Sequence, residues 1–422
     1  GIINGIEKGT ATATNVKVSI DAAKAQVGDI IGLDTNNDGT YDKTVTLTAK
    51  DIAAGSVVFT DVALPADGST LTVKAAVVGD VAGNTLASPT VVSDTAVLDL
   101  TTAVPTGVLP ADATNDTGSS SSDNITKNTT PTLTGTAEKG ATVSVVIAGQ
   151  TLTATADATG KWTVTPATLA DGTYTPVITA TDAAGNSAVA NGETFTVDTK
   201  APTAISEQLP ETAVADTGTS ATDNVTNNTT PTLTGTAEAG AKVSVVVAGQ
   251  TLTTTADSTG NWSVTPTKLA EGTYTPVVTA TDAAGNSASA SGETFTVDTS
   301  IATKVTAVEI VADTNNNGAI NGAEKGSATT TDVKVSFDAT TAKVGDVISL
   351  DTDGNGTYDK TVTLTATDIT TGYVVFTGVA LPAEGSALTV KAAVTADVAG
   401  NTVAAPTVLS DTVVVDTTAP AA

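Results

Sequence analysis

The chain has no cysteine, no histidine and no methionine, and only 3% of its 422 residues are aromatic. Each absence removes chemistry. Without Cys and His there is no Ser-His-Asp or Cys-His pair, no zinc set, no iron–sulfur cluster and no haem ligand of the usual kind. Without Cys there are no disulfides, so an extracellular life requires another staple. Positive charge is scarce as well: 18 Lys+Arg stand against 45 Asp+Glu, a formal net charge of -27. So acidic a surface repels nucleic-acid phosphates and welcomes cations, which relieve its self-repulsion. No apolar run approaches the ~20 residues of a membrane span.

What is present is Thr, Ala, Val and Gly in quantity, with 40% hydrophobic residues. That is enough apolar, β-favouring material for packed cores rather than disorder, and the length calls for several domains. Internal repeats set their number. Residues 7–99 match residues 324–416 without a gap, as in VKVSIDAAKAQVGDIIGLDTNNDGTYDKTVTLT from Val16 and VKVSFDATTAKVGDVISLDTDGNGTYDKTVTLT from Val333. Between them lie two near-identical copies, NTTPTLTGTAEKGATVSVVIAGQ from Asn128 and NTTPTLTGTAEAGAKVSVVVAGQ from Asn228. The order is A-B-B-A, with modules at 1–99, 100–198, 199–298 and 299–418. Each closes on a related phrase, DVAGN or DAAGN followed by a final Asp, with Pro105, Pro202 and Pro420 soon after three of them. Short stiff joints of this kind favour an extended rod.

Secondary structure reads as β throughout. Val143, Val145 and Ile147 alternate with Ser144 and Val146, a period of two. Tyr174–Asp182 and Glu193–Asp198 follow the same rule, and turn signals stand between such runs at Ala148, Asp157, Ala170 and Ala183. About seven short strands per ~100 residues is the pattern of an immunoglobulin-like β-sandwich. Trp162, Tyr174 and Phe195, with Trp262, Tyr274 and Phe295, are expected in the cores of the B modules, and Phe59 and Phe376 in the A modules. A surface-binding role for the two Trp is the competing reading. No helix-period segment of useful length stands out. Asp21–Asp29 and its partner from Asp338 read as loops or a single turn.

Acidic constellations carry the only recognisable chemistry. DTNNNGAINGAE fits a twelve-residue calcium loop: Asp313, Asn315 and Asn317 at positions 1, 3 and 5, Gly318 at the sharp turn, the Ala319 carbonyl at position 7, Asn321 acting through water, and Glu324 as the bidentate closing carboxylate. A polar turn that binds nothing is the plain alternative. Gly1–Glu7 aligns with Gly318–Glu324, which implies a chain cut from a longer one whose preceding residues completed a second such loop. Each A module adds a nine-residue candidate expected at the tip of a β-hairpin, Asp34, Asn36, Asp38 and Asp42 in the first and Asp351, Asp353, Asn355 and Asp359 in the fourth. An Asx-rich turn without metal competes here.

A third constellation is expected at the joints, on the reading that the DAAGN loop and the closing Asp share one end of a module. The first joint then combines Asp80, Asn84 and Asp99 with Asp112, Asp116 and Asp123. The second combines Asp182, Asn186 and Asp198 with Asp216, Asp223 and Asn224. The third combines Asp282, Asn286 and Asp298 with the loop at Asp313. Carboxylates so close repel one another, and a divalent cation turns them into a clamp. Separate exposed acidic loops are the alternative. A glycosidase needs two acids flanking a cleft. Acids that recur in turns of every module suit structure better, so no enzyme is expected.

TPTLTGTAEAGAKVSVVVAGQ, followed by GNWSVTP, LAEGTYTPVVTATDAAGN and FTVDT, resembles the bacterial immunoglobulin-like repeats of giant surface adhesins. These are the biofilm-associated and repeat-in-toxin-type adhesins exported by type I secretion. The resemblance covers nearly the whole of each B module, and the A modules look like divergent cousins. It implies a tandem extender stalk stiffened by Ca²⁺, with linker ligands carried onto Asp182, Asp198, Asp216, Asp223 and their equivalents. It also implies an extracellular place on a bacterial surface, neighbouring modules of a longer chain as partners, and homotypic or host contacts through other regions. A self-assembling surface-layer or filament subunit and a glycan- or protein-binding array are the rival readings.

Overall fold

The computed structural model describes residues 1–403 and 406–419, so Pro420 lies outside the described residues. The chain divides into two compact units, residues 1–199 with 283–285, and 200–282 with 286–422. Buried side chains gather into four hydrophobic clusters, one for each repeat copy.

In the second copy the alternation does what period two dictates. Val143, Val145 and Ile147 of strand Thr142–Ile147 are buried, while Val146 faces out. Ala148 and Gly149, both at positive φ, make the two-residue turn to Gln150–Thr155, with Ile147 opposite Gln150, as a right-twisted hairpin requires. On the other side Thr142–Ile147 pairs with Val177–Thr181, which pairs with Ser187–Asn191. Against this sheet lie Leu133–Thr136 with Lys161–Val164, and Gly172–Tyr174 with Phe195–Val197 and Ile125–Thr126. Trp162, Phe195 and Tyr174 fill the gap, and Trp162 packs so closely on Gly135 that a Cβ there would stand 2.4 Å from its ring. The third copy repeats this register, with Trp262 in the same role.

The A copies use a five-stranded sheet. In the fourth it runs Ala319–Ile320, Leu409–Val415, Ala387–Ala396, Val347–Asp351, Lys360–Thr363, and it faces Val305–Ile310, Thr330–Phe337 and Tyr373–Ala380. Phe376 and Phe59 are core residues of their clusters. Asp21–Asp29 forms turns, as its sequence leads one to expect. The sequence reading missed short helices at Gly5–Lys8, Ala49–Ala54, Gly322–Lys325 and Ala366–Thr371. Their cause is local. Each opens on a capping box, for example Thr48 with Asp51, which satisfies two orphan N–H groups at once, and each closes on a glycine at positive φ.

With Trp162 2% exposed, Trp162→Ala should cost its sandwich about 3–5 kcal/mol. Thermal unfolding followed at more than one probe should show one early transition. An unshifted melt would place this residue outside the core.

Candidate metal-binding joints and loops

The hairpin-tip loops are built by their first aspartate. Strand Val347–Asp351 ends with Asp351 only 1% exposed. Its Oδ1 accepts from Gly354 N at 2.7 Å and its Oδ2 from Gly356 N at 2.8 Å. Burial pushes the Asp351 carboxyl up, but the N–H groups of Gly356, Gly354 and Asp353 outweigh it and hold the group below the usual range. Asp359 accepts from Thr352 N and Oγ1, and Asn355 Nδ2 donates to Asp353. Carboxylate oxygens of Asp351, Asp353 and Asp359 lie within 4.8 Å of one another. In the first copy Asp34, Asn36, Asp38 and Asp42 repeat the pattern, Asp34 accepting from Asn37 N and Gly39 N and Asp42 from Thr35. The loops thus join the strands Asp29–Asp34 and Lys43–Thr46, as expected.

The twelve-residue loop is folded about Asp313, 5% exposed, which accepts from Asn317 N and Gly318 N. Asn317 Oδ1 accepts from Ala319 N. Gly318 O and Ile320 O accept from the strand Leu409–Val415 and Asp416 just beyond it, so by strand alternation the Ala319 carbonyl faces the other way. Asn321 and Glu324 form the capping box of Gly322–Lys325, with Glu324 Oε2 taking Asn321 N and Oε1 taking Thr314 Oγ1. In the first copy Ile2–Ile3, Asn4 and Glu7 reproduce the second half of this arrangement.

At the joints the structure corrects the expected pairing. The DAAGN loop and the closing Asp stand at opposite ends of a sandwich, because the chain makes one traverse between them, from Ser187 to Asp198. Accordingly Asp182 and Asn186 do not meet Asp198. They meet Asp99, the closing residue of the preceding copy: Asn186 Nδ2 donates to Asp99 O at 2.8 Å and to Asp99 Oδ1 at 3.2 Å. Asn186 Oδ1 accepts from Gly5 N, and Asn4 Nδ2 donates to Ala184 O. Asp182 is tied to Asn186 through both oxygens. Glu138, which the sequence reading did not single out, completes a group with Asp99 and Asp182 whose carboxylate oxygens lie within 4.8 Å. Burial raises the Asp99 carboxyl, and the charges of Asp182, Glu138 and Asp67 raise it further.

For the same reason Asp80 and Asn84 do not join Asp99. Strand Thr70–Asp80 pairs at Thr70 with Val97 and at Asp80 with Asp29, which puts Asp80 roughly 30 Å along the sheet from Asp99 at ~3.3 Å per residue. Asp80 simply closes its own loop with Asn84. Nor does Asp298 meet Asp313. Asn401 Nδ2 donates to Asp298 O at 2.8 Å, repeating the Asn186–Asp99 contact, and Asp397 is tied to Asn401 as Asp182 is to Asn186. Asp282 likewise takes Asn286 N and Nδ2.

The opening loops of the B copies sit at the closing end of their own sandwich. Asp198 N donates to Thr126 O, beside the loop that carries Asp116 and Asp123. Asp112 is spent on Thr114 N and Asn115 N. In the second unit the loop holding Asp216 and Asp223 packs on the next copy: Thr217 Oγ1 donates to Ala399 O at 2.8 Å, and Gly218 (φ 112°) comes so close that a Cβ would stand 1.9 Å from Val398 O. Asp116 and Asp216 are each 1% exposed. Each takes one N–H on Oδ2, from Asn124 or Asn224, and Oδ1 has no donor at all. Burial raises both carboxyls, with Asp123 or Asp223 adding to it.

One further buried acid escaped the sequence reading. Glu207 is 4% exposed with both carboxylate oxygens unpartnered. The second copy has Gly107 here, where a Cβ would stand 2.3 Å from Ile178 Cδ1. In the third copy that position is Val278, which lacks the methyl, and Gly292 leaves the remaining room. Burial, then the charge of Glu293, push the Glu207 carboxyl up to about 7.

The geometry defines a class, a tandem array of immunoglobulin-like sandwiches with acid-lined ends. Residues 103–199 and 205–299, the two central sandwiches, match the family described as bacterial Ig-like domain. No curated protein matches the chain. Similar solved structures include a tetra-tandem repeat from the extending region of a large adhesion protein, with 23% identity, 96% of each chain covered and a TM-score of 0.35. Another is a Ca²⁺-stabilized adhesin described as helping an Antarctic bacterium reach out and bind ice, with 27% identity, 98% of this chain and 96% of that chain covered and a TM-score of 0.35. A 1.5-MDa bacterial ice-binding adhesin shares 27% identity over 70% of this chain and 95% of that chain, at a TM-score of 0.36.

Because the folded-state value for Glu207 lies above the unfolded one of 4.5, its contribution to stability is intact below about pH 4.5. It is lost as pH climbs to about 7, a change on the order of 3 kcal/mol. Unfolding of a Trp162→Phe chain, read at Trp262 across this window, should show the decline, and Glu207→Gln should flatten it. A pH-independent midpoint in the parent would refute the assignment.

Proposed function

We propose that this chain is a stalk segment of a bacterial cell-surface adhesin, extracellular, built of four immunoglobulin-like modules in extended series and rigidified by Ca²⁺. The observation that carries the reading is the lock used twice inside the units: the Asn of a D-x-A-G-N loop donates to the backbone carbonyl of the preceding copy's closing Asp, Asn186 to Asp99 and Asn401 to Asp298, both at 2.8 Å. A contact repeated at non-identical joints serves the placement of one sandwich on the next. Trp162 and Trp262 are in the cores, so these two rings are not platforms for a glycan.

Calcium suits the donor set. Every ligand on offer is a hard oxygen. The buried Asp116 and Asp216 each hold a carboxylate oxygen with no hydrogen-bond partner among the described residues, a costly arrangement for a charged group. Asp99, Glu138 and Asp182 place three carboxylates together. Bound among such groups, a divalent cation supplies the charge that lets carboxylates of two modules share one site. Asp123, Asp198, Asp223, Asp282 and Asn286 are further oxygen donors, each at an end of its own module. The loops at Asp34, Asp313 and Asp351 are additional candidates, in which the protein's own N–H groups already order the turn. Presentation in a biofilm-associated adhesin and export by type I secretion rest on the resemblance of the B-module motifs.

Binding to the folded state alone stabilises by mass action, about 2.7 kcal/mol when free Ca²⁺ is a hundred times Kd. Millimolar Ca²⁺ should therefore raise the melting temperature and a chelator should lower it. The double variant Asp99→Asn with Asp182→Asn should lose part of that shift. Identical melts with Ca²⁺ and chelator, and no heat in titration calorimetry, would contradict the calcium reading.

A further inference from the structure

Two joints built on the same Asn–Asp lock differ in whether a cationic side chain stands among their acids. Beside Asp298, Lys343 reaches in from the loop before strand Val347–Asp351, and its Nζ stands 2.5 Å from Asp298 Oδ2. The Asp298 side chain is 7% exposed, a burial that is costly for a carboxylate unless it is paired or hydrogen-bonded. Two more acids press on the same ammonium, Asp346 and Asp397, 2% and 3% exposed. Asp346 is itself held by Thr303 Oγ1 and by Lys343 N. Burial alone lowers the Lys343 ammonium, but Asp298, Asp346 and Asp397 outweigh it and keep it above its ordinary value. At the other joint no such cation exists. Among the described residues no lysine pairs with Asp99, Glu138 or Asp182, and the donors that reach these acids are neutral: the Asn186 amide at Asp99 and Asp182, Gly185 N and Asn186 N at Asp182, and Thr102 Oγ1 at Glu138. The residue aligned with Lys343 in the first copy, Gln26, lies beside Asp29 and Asp80 at the end of that sandwich away from Asp99.

We infer that Lys343 is a built-in substitute for the divalent cation at the Asp298 joint: its ammonium occupies the charge position that Ca²⁺ takes at the Asp99 joint. This rests on the calcium reading of the joints and divides them into two kinds. The Asp99 site assembles with calcium supply, whereas the Asp298 site is closed at any calcium concentration. The opening loop at Asp216 is a separate set of ligands and keeps its own calcium dependence.

The test counts calcium ions and joint mobility in the full chain. Asp99→Asn should lower the calcium stoichiometry by one, and Asp298→Asn should leave it unchanged. Lys343→Met should raise it by one, because the vacated carboxylates become a site. The chain has no cysteine, so spin labels at Thr251→Cys and Thr367→Cys report the Asp298 joint directly. In chelator, Lys343→Met should broaden their distance distribution, added Ca²⁺ should narrow it again, and Lys343→Arg should behave like the parent. Circular dichroism confirms that each variant is folded. Loss of a calcium in Asp298→Asn would overturn the inference, as would a Lys343→Met chain that neither gains an ion nor loosens. If Asp99→Asn loses no ion while Lys343→Met still loosens the joint in chelator, the calcium reading fails and the ammonium clamp stands.

Discussion

Repulsion between carboxylates that must share a small space governs this chain. Among the acids behind its net charge of -27, several crowd together at the ends of the sandwiches and at hairpin tips. The protein answers in two ways. At hairpin tips, backbone N–H groups surround Asp34 and Asp351, and a carboxylate served by several donors is stable without any ion. At the Asp298 joint a lysine supplies the charge. At Asp116 and Asp216 a single N–H serves Oδ2 and no lysine pairs with either among the described residues, and at Asp99 the side chain has only the Asn186 amide, so those are the places where an external cation has most to gain.

The sandwiches themselves need little from their neighbours. Each copy has its own buried cluster, with the aromatic residues of the B copies spent on the interior. Cysteine-free modules of about a hundred residues are near the size at which a single core suffices. What a joint adds is therefore orientation more than folding energy, and small polar contacts such as Asn186 to Asp99 are suited to that task. Gly218 shows how tight the fit is, since any side chain there would run into Val398 O.

Much of this was legible in the residues. Period-two alternation gave the strand Thr142–Ile147, repeat matching gave four copies, and the Asx-Gly pattern gave the hairpin tips. The joints were misassigned by strand parity. Two motifs on the same strand run, DAAGN and the closing Asp, were placed at one end, although the single traverse from Ser187 to Asp198 separates them. Parity depends on where each strand begins and ends, which sequence defines least well. Lys343 carries no local mark, because its partner Asp298 is 45 residues away. Glu207 becomes visible only when the copies are compared, as Gly107 with Ile178 against Glu207 with Val278. The short helices were readable from T-x-x-D or N-x-x-E before glycine, a signal that a search for helical periodicity passes over.

Small-angle X-ray scattering in Ca²⁺ and then in chelator tests the central claim most directly. A compact particle of this length would have a radius of gyration of roughly 22 Å. The account predicts about twice that in Ca²⁺, with a rod-like profile that turns flexible when the ion is removed. A scattering curve indifferent to chelator, or a compact particle in both conditions, would contradict it.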